Sequence, residues 1–289
     1  VTVTSLLGGA QVETALVCLA TLLRYAAFPL RFRLLDDGTL TAEDRDRLSS
    51  ALGAPEIIVR ADADSRLAAY LSRWPATHAF REANPLALKL VDAAVFAGDR
   101  DLLFVDTDVL FLRPFSGLVS EPSDRPPGGG VPALFMADSQ SAYSVRSWQV
   151  LRDRRLRLPV RVNTGIMVAR PGVFDPELVE WFLARTEYHR TPVWAEQTCW
   201  ALLAARAGAE LLDPRRVVVP RPGVALDGDV VAAHFVRSVR HRLAETAAAA
   251  PDRTGEEPVI LGRVPARPAT AFTLLADELR RRLDRLLGR

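Results

Sequence analysis

Apolar residues recur along the first third of this chain at two alternating spacings, that of a strand and that of a helix. Val1–Leu6 predicts a strand, closed by the Gly8-Gly9 turn. Over about Val12–Ala26, Val12, Leu16, Leu19 and Leu23 share one helical face. Leu30–Leu35 predicts a second strand, ending in Asp36-Asp37-Gly38. Thr41 caps a helix predicted over Ala42–Leu52, with Asp44 making a capping-box pair. Glu56–Val59 is a third strand, and helical patterns follow at Ser65–Trp74 and Leu86–Ala97. This rhythm predicts an α/β protein with a mixed, mainly parallel sheet flanked by helices. The second half is less regular. Ser120–Pro132 is rich in Pro and Gly and is the expected division between subregions. Strands are expected at Ala133–Met136, Gly165–Ala169, Val217–Val219 and Val230–Phe235, and helices at Pro176–Tyr188 and Ala195–Ala207. The tail Ala269–Leu287 reads as an amphipathic helix with Leu275, Leu279, Leu283 and Leu286 on one face and arginines opposite.

One apolar run is interrupted by acid. In Leu102–Leu112, LLFVDTDVLFL, the residues Leu102 to Val105 read as a strand buried on both faces. Side chains two apart share a face, so a continuing strand would hold the Cα atoms of Asp106 and Asp108 roughly 6–7 Å apart. Two carboxylates beside a hydrophobic core repel each other and lose hydration. A divalent cation relieves both costs. Oxygen ligands favour Mg2+ or Mn2+, which commonly reach proteins through a few carboxylates plus substrate phosphates. Open α/β sheets also bind ligands at the carboxyl ends of their strands. The alternative is an Asp-x-Asp pair that only caps a turn, but this one sits among apolar residues.

Composition narrows the class. The 289 residues suit one large α/β domain or two small ones, and a net charge of +2 gives no ground for nucleic acid as a partner. Of 37 basic residues only Lys89 is a lysine, an arginine bias expected from genome composition. Cys18 and Cys199 lie in apolar helical patterns and read as small core residues. VTVTSLLGG lacks the basic leader of a secretory signal, and Ala10–Leu30 carries Gln11, Glu13, Arg24 and Pro29, a poor membrane span. A cytoplasmic protein is expected, with the basic amphipathic tail a candidate for peripheral contact with the inner membrane face.

Other polar positions could complete a site. His234 ends the apolar run Val230–Ala233 and is a candidate third metal ligand or an ordinary core histidine. Asn163-Thr164-Gly165 precedes Ile166–Val168 as a simple turn or as a sugar contact in which glycine permits close approach. Glu196-Gln197 is expected to open a helix, where the acid suits the dipole, or to touch a reacting sugar. Lys89 and Arg240 are candidate phosphate clamps.

Taken in order, VTVTSL, FVDTDVLFL, NTGIMV, Glu196-Gln197 and the late histidine of AAHFVRSVRHRL resemble the GT-A-fold glycosyltransferases. They are most similar to the retaining family 8 type, which includes lipooligosaccharide galactosyltransferases and glycogenin. The Asp-x-Asp block and NTGIMV are the strongest matches. The resemblance implies a GT-A, Rossmann-like fold over 1–242, with a nucleotide-binding half over 1–119, an acceptor and sugar half over 131–242, and a C-terminal helical extension over 243–289. It implies that Asp106, Asp108 and His234 hold Mn2+ or Mg2+ against the diphosphate of a nucleotide-sugar, UDP-linked in the family. Thr4, Ser5 and Leu6 would meet base and ribose, and Lys89, Asp106 and Thr107 the donor. Asn163, Thr164 and Gly165 would line the sugar pocket. Gln197 matches a polar residue beneath the anomeric carbon, and Glu196 stands where the family keeps Asp. The family's Lys-Pro-Trp after the histidine is absent; the chain has Ser238-Val239-Arg240-His241, with Arg240 as substitute clamp. The implied reaction moves a hexose to a hydroxyl of a glycan, lipid or small-molecule acceptor with retention.

Three other readings are weighed. A haloacid-dehalogenase-like phosphatase also ends a strand in Asp-x-Asp, yet its usual Gly-Thr is Val109-Leu110 here, and no lysine follows Lys89. A nucleotidyltransferase would carry an early Gly-rich basic loop, and Gly8-Gly9 has no basic neighbours. A catalytically inactive nucleotide-sugar-binding scaffold would have no need of the intact Asp106, Asp108 and His234.

Overall fold

The computed structural model describes residues 1–119 and 131–286, with side chains placed to 283. The first elements are β1 (Thr2–Leu7), α1 (Val12–Tyr25), β2 (Arg31–Asp36), α2 (Ala42–Ala51), β3 (Glu56–Ile58) and α3 (Arg60–Leu71). Next come α4 (Pro75–Ala83), α5 (Ala87–Leu90), α6 (Asp92–Ala97), β4 (Leu102–Val105), β5 (Val109–Phe111) and β6 (Phe115–Ser116). The middle holds β7 (Ala133–Ala137), α7 (Ser147–Arg152), β8 (Val162–Ala169), α8 (Pro176–Leu183) and α9 (Pro192–Ala207). The chain continues with β9 (Ala209–Leu212), β10 (Val217–Val218), β11 (Ala232–His234), α10 (Leu243–Ala249), β12 (Val259–Ile260), β13 (Arg263–Pro265) and α11 (Ala271–Leu286).

The main sheet has the order β13-β9-β7-β8-β4-β1-β2-β3. The strands β3, β2, β1 and β4 are parallel, β8 runs against both β4 and β7, β9 is parallel to β7, and β13 closes the edge antiparallel. The expected mixed, mainly parallel α/β sheet is thus borne out. β4 shows why its run is apolar throughout: Leu102 and Phe104 enter one core, Leu103 and Val105 the other, and all four are buried. Trp200 and Cys199 of α9 pack in the first core, and α1 packs in the second. Cys18 and Cys199 are free and buried.

Local signals account for most boundaries. Thr41 Oγ1 accepts the Asp44 amide while the Asp44 carboxylate accepts the Thr41 amide, the expected capping box of α2. α3 starts five residues before the predicted Ser65. α4 was not expected; Pro75 stands in its first turn, and its Thr77, Phe80 and Arg81 are buried. The helix predicted over Leu86–Ala97 breaks at Val91 into α5 and α6. Asp92 at that break lies fully buried, holding the Arg81 guanidinium through two hydrogen bonds of 2.7 and 2.8 Å. Of the division expected at Ser120–Pro132, residues 120–130 lie outside the described residues.

The last fifty residues return to the body. β12 pairs with β6, and β13 joins the main sheet beside β9. The expected tail helix forms and docks by its polar side. Leu275, Leu279 and Leu283 are exposed, whereas Leu274 is buried, Asp277 accepts the Ser141 amide and Glu278 accepts the Ser147 amide. The Leu286 side chain lies outside the described residues. No helix among those described is long and apolar enough to cross a membrane.

Candidate active site

One edge of the sheet gathers the candidate residues. The carboxyl ends of β1, β2, β4 and β7 all open there, and β8, running the other way, brings its first residues to the same edge. Asp106 therefore follows β4 and Asp138 follows β7. Asn163, Thr164 and Gly165 lie inside β8 rather than in a turn before it, which corrects the expectation from their polar character. They are buried, and Gly165 O accepts the Asp106 amide at 2.8 Å.

The strand geometry expected to continue through both aspartates does not persist. A turn spans Thr107 and Asp108, closed by the Val109 amide on Asp106 O at 3.2 Å, and β5 leaves for a second sheet. The carboxylates still converge, because β11 pairs antiparallel with β5 and sets His234 opposite Val109. Phe235 N then donates to Asp108 O at 2.9 Å. His234 Nε2 stands 3.1 Å from Asp108 Oδ1 and 3.6 Å from Asp106 Oδ2. One ligand atom from each of Asp106, Asp108 and His234 lies within 4.8 Å of the other two.

The partners of His234 fix which nitrogen faces the acids. Asn163 Nδ2 donates to Asp138 Oδ2, and Asn163 Oδ1 accepts from the Gly165 amide. That oxygen has no hydrogen to give, so at 3.0 Å His234 Nδ1 must be the donor to it. Nε2 is left for the two carboxylates. Gly165 makes this arrangement possible: a Cβ there would lie 2.3 Å from His234 Nδ1 and 2.8 Å from Met136 Sδ.

The site is densely charged. Lys89, buried on α5, donates to Asp106 Oδ2 at 2.7 Å and lies over the Phe104 ring. Burial would lower its pKa, but Asp106 and Glu196 outweigh that and raise it. Burial likewise favours neutral Asp108, yet His234 and Arg240 hold its carboxyl down at about 2. His234 is raised: burial opposes its charge, and the attraction of Asp108 prevails. The half-exposed Arg240 guanidinium donates to Asp108 Oδ2.

Glu196 and Gln197 sit one turn inside α9, not at its start, because α9 begins at Pro192. Both are buried. Gln197 Nε2 donates to Ala142 O at 3.0 Å. Glu196 Oε2 accepts from Thr164 Oγ1 at 3.2 Å, while Oε1 is buried with no hydrogen-bond partner. Burial pushes the Glu196 carboxyl up to about 7, resisted by Lys89. A buried carboxyl with one unmet oxygen beside a cluster of charge is a candidate reactive group.

Thr4 and Ser5 lie mid-strand and buried, and Ser5 Oγ donates to Val105 O; Leu6 packs against the core. The end of β1 that reaches the ligand edge is Leu7–Gly8. A Cβ on Gly8 would lie 2.2 Å from the Asp37 carboxylate, so the Asp37 side chain rests directly over Gly8. Asp37 and Asp138 were not singled out from sequence. The same rule of strand ends that pointed to Asp106 would have found both. A surface cavity of about 770 Å3 lies elsewhere, at the amino ends of β1 and β2, among Val1, Arg31 and Arg33, where Arg33 is already paired with Glu56.

No family model and no curated protein matches the chain by sequence. Solved structures do resemble it. Mouse xyloside xylosyltransferase 1 superposes with a TM-score of 0.56 at 16% identity, over 83% of this chain and 99% of that one. A galactosyltransferase, LgtC, in complex with donor and acceptor sugar analogs gives 0.48 at 13% identity, over 87% and 97%. GlyE, a glycosyltransferase of Streptococcus pneumoniae TIGR4, gives 0.47 at 11%, over 85% of this chain and 59% of that one.

Proposed function

We propose that this chain is a glycosyltransferase that moves a hexose from a nucleotide-sugar to an acceptor hydroxyl, with a divalent metal, a UDP-linked donor and retention at the anomeric carbon. The observation that carries the reading is the convergence of Asp106, Asp108 and His234 at the ligand edge of a sheet whose fold is shared with xyloside xylosyltransferase 1. UDP and retention rest on the family resemblance of the motifs. Nothing at the site favours the phosphatase or the inactive scaffold.

The donor set fits a hard cation. Two carboxylates and an imidazole suit Mn2+ or Mg2+, and the Asn163 bond turns Nε2 toward them. When bound, such an ion supplies positive charge against the leaving diphosphate. The chain's own residues do the rest. Lys89 fixes Asp106 and keeps a positive charge at the floor of the site. Arg240, half exposed above Asp108, can donate to phosphate oxygens and stabilise charge as it grows on the leaving group. Glu196 is a buried carboxylate beside Lys89 and Thr164 that lies outside the metal set, and Gln197 is held by the Ala142 carbonyl. Binding of donor and acceptor over these residues would align the acceptor hydroxyl and limit water.

A thermal-shift panel of UDP, GDP, dTDP and ADP, each with Mn2+ or with EDTA, tests the donor class. A ligand that binds the folded state raises its melting temperature by mass action. The expected result is a Mn2+-dependent rise with UDP that is lost in Asp108→Ala. No rise with any nucleotide would overturn the reading.

A further inference from the structure

We propose that α7 and α11 together form a docking face for an anionic lipid bilayer. The proposal stands apart from the proposed activity, because it rests on a different surface. α11 is amphipathic, but its apolar stripe is turned outward: Phe272 is 78% exposed and Leu283 57%, with Leu275 and Leu279 between them also exposed. The helix is held to the body by its polar side. Asp277, Glu278 and Arg281 bond to the backbone of Ser141 and Ser147, and the Arg281 guanidinium also lies over Trp194. The Glu278 bond joins α11 directly to the first residue of α7. That shorter helix shows the same character, with Leu151 74% and Trp148 52% exposed.

Charge selects the partner. Segments 146–157 and 271–283 contain eight arginines against three acids. Each acid is engaged: Asp153 accepts from the Tyr188 hydroxyl and the Arg155 amide, while Asp277 and Glu278 accept the backbone amides already named. The side chains of Arg146, Arg152, Arg154, Arg155, Arg157, Arg280 and Arg282 are exposed. Exposed leucine, phenylalanine and tryptophan set among exposed arginines that form no ion pair among the described residues match an interface of acyl chains beneath anionic headgroups. A purely apolar partner would leave the arginines desolvated, and a purely acidic one would leave the leucines wet. The face also adjoins the site. Ser141, held by Asp277 and Arg281, is the neighbour of Ala142, whose carbonyl receives the Gln197 amide. Docking by this face would bring the Gln197 side of the site toward the bilayer surface.

The test is sedimentation of the whole chain with vesicles of phosphatidylcholine alone and of phosphatidylcholine with about one third phosphatidylglycerol. The expected result is binding to the anionic vesicles only, weakened by salt. Arg280→Gln with Arg282→Gln should lower that binding on the order of tenfold. Phe272→Ser with Leu279→Ser should abolish it, while Val224→Ser, an exposed apolar position elsewhere, should change nothing. All four substituted positions on α11 are exposed, and an unchanged melting temperature confirms that the variants fold. Equal binding to neutral vesicles, no binding to either, or full binding by both double variants would overturn the proposal. So would a dimer in solution that the Phe272 and Leu279 changes dissolve, since the face would then belong to a second copy.

Discussion

Glu196→Gln should stabilise the protein at alkaline pH and leave its stability nearly unchanged at acid pH. The carboxyl is buried with Oε1 unpartnered, and its pKa stands at about 7 against an ordinary 4.5. Between those values the folded state holds a proton that the unfolded state has released. Stability therefore falls as pH rises from the unfolded pKa through the folded one. A shift of this size corresponds to about 3 kcal/mol, expressed in full above pH 7. Glutamine matches the protonated acid in shape and carries no charge, so it escapes the cost. In a chain of 289 residues about 3 kcal/mol moves the melting temperature by about 5 °C. Melting curves of both proteins at about pH 4.5 and about pH 8.5 should coincide at the first and separate at the second, with the variant higher. A separation that does not change with pH, or a variant less stable at alkaline pH, would refute the account of a buried, uncompensated carboxylate. The same variant bears on chemistry: near-normal turnover would remove Glu196 from candidacy as a reactive group.

Other perturbations follow from particular contacts. Asn163→Ala removes the acceptor that orients His234, and Mn2+ affinity measured by calorimetry should fall about tenfold or more; an unchanged affinity would show that the asparagine does not set the ligand. Gly165→Ala would press a Cβ against His234 and Met136, costing about 1–3 kcal/mol in urea unfolding, and a wild-type midpoint would contradict that crowding. Arg81→Met leaves the fully buried Asp92 without its guanidinium, an expected loss of about 3–5 kcal/mol. If its denaturation midpoint matches that of the native protein, the pair does not brace the break between α5 and α6.

The parallel half of the sheet was legible because each of its strands announces itself locally. β4 is apolar at every position since both faces are covered, and Thr41 with Asp44 marks the start of α2. The acid pair was legible for the same reason, as charge in a place where only apolar residues were expected. What escaped depends on tertiary partners. The turn at Thr107 is set by β5 leaving to pair with β11, a contact more than a hundred residues distant. Asn163 and Gly165 looked like loop residues, but antiparallel β8 places them at the ligand edge while still in the strand. Thr4 and Ser5 lie buried within β1, with Ser5 bonded to Val105 O just before Asp106. In α11 the sequence displays amphipathicity without saying which side is covered, and three polar contacts to 141–147 leave the leucine face outward. Glu196 could be named from its place beside Gln197, but its orphaned oxygen and raised pKa belong to the folded protein.

If Asp106, Asp108 and His234 hold a metal that assists departure of a nucleotide diphosphate, donor cleavage must depend on both the ion and the carboxylates. Release of UDP from a set of UDP-hexoses, followed with Mn2+ and with EDTA in the native protein and in Asp108→Asn, tests it most directly. The expected result is release with at least one donor, abolished by EDTA and lowered by about a hundredfold or more in the variant. Release that ignores EDTA, or that survives intact in Asp108→Asn, would contradict it.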